Sequence, residues 1–96
     1  MKKEILRKII AAEENVLLLD IRETEELSEV PVIPGSVHVP MGRVFTEVGK
    51  GNLPKDKQII VICRSGKRAA IVQRELLALG YQVAALEGGL QEYFTA

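Results

Sequence analysis

An α/β domain built on a mostly parallel sheet is the fold class this sequence predicts, and three observations predict it. Short apolar runs recur at residues 15–21, 58–63 and 81–87, each of strand length. They are apolar almost throughout rather than alternating, as strands buried on both faces are. Between the last two runs, Ala69, Val72, Leu76 and Leu79 recur at helical spacing, so strand and helix alternate. At 96 residues the chain has room for one domain over 1–96. A composition that is 47% hydrophobic and 27% charged suits a soluble domain burying its core without disulfide or metal staples.

Taken in order, Ile5, Leu6, Ile9 and Ile10 fall on one face of an N-terminal helix. Arg7 and Lys8 break its apolar run, which reads against a signal peptide and for a helix kept in the mature protein. "NVLLLDI" (15–21) predicts a buried parallel strand with Asp20 and Arg22 at its C-terminal end. "ETEELSEV" predicts a helical turn or acidic loop, and Pro34-Gly35 a bend before a short "SVHV" strand. "MGRVFTEV" can form a short helix, and "QIIVIC" (58–63) is the strongest strand of the chain. A helix then runs from Lys67 to Leu79 and ends at Gly80. "YQVAALE" is a further strand, Gly88-Gly89 a turn, and "LQEYFTA" a closing helix. Crossovers between the parallel strands are expected to be right-handed.

Several function classes are disfavoured by counting. One Cys and one His cannot form an intramolecular disulfide framework and hardly build a zinc site. A lone thiol suits a reducing compartment, so the cytoplasm is expected. No stretch reads as a membrane span. A formal net charge of zero argues against nucleic-acid binding. The charge is nonetheless segregated. Residues 13–29 carry seven acids against Arg22 alone, whereas no acid lies between Lys57 and Arg74, a span that includes Arg64, Lys67 and Arg68.

That basic span encloses Cys63. In open parallel sheets, ligands bind beyond the C-terminal strand ends, where Cys63 is placed. A strand-to-helix loop can turn successive amides inward to hold an anion, and the following helix adds its N-terminal partial positive charge. Gly66 gives the freedom for a tight curl, and Arg64, Lys67 and Arg68 add charge. Such surroundings favour a reactive cysteine that needs no adjacent histidine. The plainer alternative is that Cys63 is a small buried hydrophobe. The C-x-x-G-x-R spacing at a strand-to-helix junction favours chemistry.

"CRSGKR" resembles the active-site loop of rhodanese-homology domains, sulfurtransferases that carry sulfur as a cysteine persulfide. The resemblance extends in order along the chain: "LLLDIRE" is similar to the family's strand ending in Asp-x-Arg, "IPGSVHVP" to its Ile-Pro-Gly segment, and "LGYQVAALEGGLQEY" to its closing stretch. It implies a rhodanese-like three-layer sandwich: a central parallel five-stranded sheet with helices on both faces. It also implies that Cys63 carries the sulfur, that Arg64, Ser65, Gly66, Lys67 and Arg68 surround the substrate anion, and that Asp20 and Arg22 support this loop. The reaction implied takes sulfane sulfur from a small sulfur-containing anion such as thiosulfate. It passes the sulfur to cyanide, a small thiol or a protein cysteine, with no metal or organic cofactor and with neither nucleic acid nor membrane as partner.

The departures bear on the donor. Pro31 and Val32 stand where the family often has Gly-His, Tyr93 replaces a closing Trp, and Ser65 occupies a position where some thiosulfate-preferring members are basic. Two alternatives accompany the main reading: a non-catalytic, regulatory module that serves protein contact, and a phosphatase or arsenate reductase. The intact cysteine and loop weigh against the first. The second uses a loop one residue longer in its nearest relatives of this fold. His38, between Val37 and Val39, reads as structural, and Gly88-Gly89 as a simple turn.

Overall fold

The structure is a computed structural model and describes residues 1–95. Four strands, β1 (Val16–Asp20), β2 (Val37–His38), β3 (Gln58–Ile62) and β4 (Val83–Ala85), form one sheet in the order β2-β1-β3-β4. All pairings are parallel, with Asp20 opposite both His38 and Ile62, and Val61 opposite Ala85. Four helices accompany it: α1 (Lys3–Ala11), α2 (Val44–Gly49), α3 (Lys67–Ala78) and α4 (Gly89–Tyr93). Two 3-10 turns, Thr24–Ser28 and Met41–Arg43, complete the order.

The period-two alternation of β3 splits the core into two halves. Ile59, Val61 and, just past the strand, Cys63 pack with Val44, Val72 and Leu76 on the α2–α3 side. Ile60 and Ile62 pack with Leu6, Ile9 and Leu90 on the α1–α4 side. All four of these β3 isoleucine and valine positions are fully buried, which is why the run reads as continuously apolar. Each such side chain contributes about 1.5–3 kcal/mol gross. The result is the expected sandwich of helices on both faces of a parallel sheet.

The sheet has four strands among the described residues, not five. At the free edge of β4, Met1 donates its amine to the Ala85 carbonyl (2.6 Å) and accepts at its own carbonyl from the Glu87 amide (2.9 Å). Those two bonds are a ladder one residue long, because the chain has entered α1 by Lys3.

Helix α3 buries Ala69, Val72 and Leu76 as its spacing predicts, but Leu79 is 47% exposed. The Gly80 amide bonds to Leu77 and the Tyr81 amide to Leu76, with Gly80 at φ +91°, closing a Schellman motif. This reversal sends Tyr81, rather than Leu79, into the core. On α1, Leu6 and Ile9 are buried, while Ile5 is half exposed. No helix among the described residues is long and apolar enough to cross a membrane.

Candidate active site

Because every strand runs the same way, Asp20, His38 and Cys63 and the Leu86–Gly89 turn all arrive at one edge of the sheet. Cys63 follows β3 directly and is fully buried. Gly66, at φ +95°, is the N-cap residue of α3 and curls the loop back over the sulfur. The amides of Gly66 (3.1 Å) and Ala69 (3.4 Å) donate to Cys63 Sγ. The sulfur therefore sits against the first turn of a 12-residue helix, where free N–H groups and the helix dipole favour negative charge.

The back of this loop is fixed by α4. Its first amides, those of Leu90 and Gln91, donate to the carbonyls of Cys63 (2.9 Å) and Arg64 (3.0 Å). The approach is possible only because position 89 lacks a side chain. At φ +60°, a Cβ on Gly89 would lie 2.6 Å from the Cys63 carbonyl oxygen and would also overlap the carbonyl of Arg64. A Cβ on Gly66 would meet the Gly88 amide nitrogen at 3.1 Å. The glycine pair expected to be a simple turn is thus the surface on which the Cys63 loop rests.

The other flank is ionic. Asp20 and Arg22 are both buried, and the carboxylate accepts from Arg22 Nε (3.1 Å) and Nη2 (2.9 Å). The remaining Arg22 nitrogen, Nη1, donates to the carbonyls of Glu26 (3.1 Å) and Val30 (2.7 Å). His38 Nε2 lies 2.6 Å from the Arg22 carbonyl oxygen, a structural contact as expected. The acidic turn Thr24–Ser28 is thereby bolted to the sheet edge. From it, Glu26 grips Arg68 with both oxygens, at 2.7 Å each. The hydrogen bonds from Arg68, aided by the bond from the Glu23 amide and the charges of Arg68 and Arg22, outweigh burial and lower the Glu26 carboxyl from 4.5 to about 2. The same hydrogen bonds raise the Arg68 pKa further.

Of the residues predicted to ring the sulfur, Gly66 reaches it through its amide. Arg68 points its guanidinium at Glu26. Arg64 lies 4.0 Å from Glu29, both about half exposed, and Ser65 and Lys67 are exposed on the rim. Asp20 and Arg22 stand one step back and reach the loop through Glu26. Sequence reading did not anticipate Ala69, Glu26, Glu29 or the Gly88-Gly89 support. The segregated acidic and basic runs were the available signal for the two glutamates. A cleft of about 640 Å³ against Leu17, Val37 and Leu53 does not include Cys63 in its lining. Among the described residues, no cluster of three His, Cys, Asp or Glu side chains is placed to hold a metal ion.

The chain is similar to known proteins over most of its length. The model of the rhodanese-like domain family matches residues 2–96. The candidate sulfurtransferase YtwF of Bacillus subtilis (strain 168) is 38% identical over 88 residues, covering 92% of this chain and 82% of that protein. A tRNA sulfurtransferase of Desulfurococcus amylolyticus is 32% identical over 77 residues, which is 80% of this chain but only 14% of that protein. Among solved structures, a rhodanese-related protein from Thermoplasma volcanium superposes with a TM-score of 0.83 at 30% identity, over 97% of this chain and 87% of that one.

Proposed function

This chain belongs to the rhodanese-like domain family, and from that premise we propose that it moves sulfane sulfur through a persulfide on Cys63. In the first step the Cys63 thiolate attacks the outer sulfur of a donor, of which thiosulfate is the simplest. The donor's S–S bond breaks, its electron pair leaves with sulfite, and Cys63 carries the new S–S bond. In the second step a thiophilic acceptor (cyanide, a small thiol or a protein cysteine) attacks the outer sulfur, and the Cys63 thiolate is returned. The observation that carries this reading is the pair of amides on Cys63 Sγ at the N-terminus of α3. Such donors stabilise a sulfur anion without needing a histidine base or a metal.

The loop residues Arg64, Ser65, Gly66, Lys67 and Arg68 frame the entry, and Asp20 and Arg22 support it. Residues 1–96 serve as a single domain in this role, and a reducing compartment, the cytoplasm, suits a thiol that must return to its free state.

The test is intact mass after incubation with thiosulfate and then with cyanide. One added sulfur that cyanide removes, and that Cys63→Ser abolishes, is the expected result. A protein that gains no sulfur from any sulfane donor would refute the reading.

A further inference from the structure

The basic character of the Cys63 loop is largely cancelled in the folded protein. Of its three cations, Arg68 is engaged by both oxygens of Glu26, and Arg64 faces Glu29 at 4.0 Å. Only Lys67 has no acid within ion-pair distance among the described residues. Both glutamates belong to the acidic segment that Arg22 fastens to the sheet edge, so their backbones are held beside the loop. Glu23 is exposed in the same segment and adds negative charge near Arg68.

Counted over the loop and its two partners, three positive and two negative side chains leave one net positive charge before the thiolate is included. A dianion approaching the thiolate meets little compensating charge, whereas a donor of lower net charge loses less. The two pairs differ in how they can respond. Arg68 is bidentate and partly buried, whereas the Arg64–Glu29 pair is long and half exposed, so it can open and close.

We propose that Glu29 is a specificity-determining residue: by competing for Arg64 it disfavours dianionic donors such as thiosulfate and turns the site toward persulfides of thiols. This rests on the sulfurtransferase reading given above. With such a donor the step balances as R–S–SH plus Cys63–S⁻ giving R–S⁻ plus Cys63–S–SH. The donor's S–S bond breaks and its thiolate leaves.

The test measures sulfur loading of Cys63 by mass, and kcat/KM, for thiosulfate and for cysteine persulfide. The unmodified protein is expected to use cysteine persulfide at least about tenfold better, since its reacting R–S–SH form carries no net charge against the two of thiosulfate at the same entry. Glu29→Gln is expected to raise kcat/KM for thiosulfate by about two- to fivefold, carried by KM, the range of an exposed ion pair. In an Arg64→Gln background the same substitution is expected to give no gain. Equal or better use of thiosulfate by the unmodified protein, or a gain that survives without Arg64, would overturn this inference alone. Failure of both donors to load Cys63 would overturn the sulfurtransferase reading and this inference together.

Discussion

The Cys63 loop is held from two sides by unlike means. Toward α4 the attachment is backbone on backbone, two amides on two carbonyls, made possible by Gly89. Toward the acidic turn it is charge on charge, Glu26 on Arg68 and Glu29 opposite Arg64. The first kind is indifferent to pH and salt in the ordinary range and tolerates no added atom. The second tolerates changes of shape and responds to both. The loop therefore has a fixed back and an adjustable front.

The largest expected effect comes from removing the bolt beneath the ionic side. Arg22→Ala leaves Asp20 as an unpaired buried carboxylate and frees the Glu26 and Val30 carbonyls. A loss of about 3–5 kcal/mol is expected in urea unfolding. An Arg22→Ala protein as stable as the parent would mean the acidic turn does not depend on this pair. Next is Gly89→Ala, where the new Cβ collides with the loop carbonyls at a positive φ. Overpacking and backbone strain together are expected to cost about 2–4 kcal/mol, with faster unfolding. Stability within about 0.5 kcal/mol of the parent would show that the back of the loop is not fixed.

Glu26→Gln should be milder, about 1 kcal/mol, since the pair it breaks is only partly buried. It also carries the pH dependence. The Glu26 carboxyl is lowered from 4.5 to about 2 by Arg68, so its contribution is complete above about pH 4.5 and is lost as pH falls through 2. The gap between parent and Glu26→Gln, followed by unfolding at successive pH values, should narrow over that window. A constant gap would assign the effect to something other than this charge.

Much of this is legible in the sequence alone. The strand at 58–63, the start of α3 at Lys67 and the place of Cys63 between them follow from apolar runs and one glycine, which are local signals. Asp20 and Arg22 were legible as residues closing a strand, while their role as supports came only from the family resemblance. What escaped was non-local. That Glu26 would meet Arg68 depends on a contact 42 residues apart in sequence, and periodicity carries no information on it. The role of Gly89 lies in what its missing side chain would touch, again across the fold. The fifth strand fails for a simpler reason: a single residue pairs with the edge of β4 before α1 begins. Leu79 falls outside the buried stripe because α3 ends at Ala78, one residue before it, and Gly80 reverses the chain.

The fixed back of the loop has a consequence for where a carried sulfur can go. An S–S bond lengthens the Cys63 side chain by about 2 Å. Behind the sulfur the Cys63 and Arg64 carbonyls are pinned to α4, so the loop has no slack there to take up the extra atom. Under the persulfide chemistry proposed above, the added atom then lies on the side of the sulfur away from those carbonyls, toward the amides of Gly66 and Ala69. On that proposal, loading moves the reactive sulfur about 2 Å out from a fully buried thiol, so that occupancy itself changes how far the next molecule must reach.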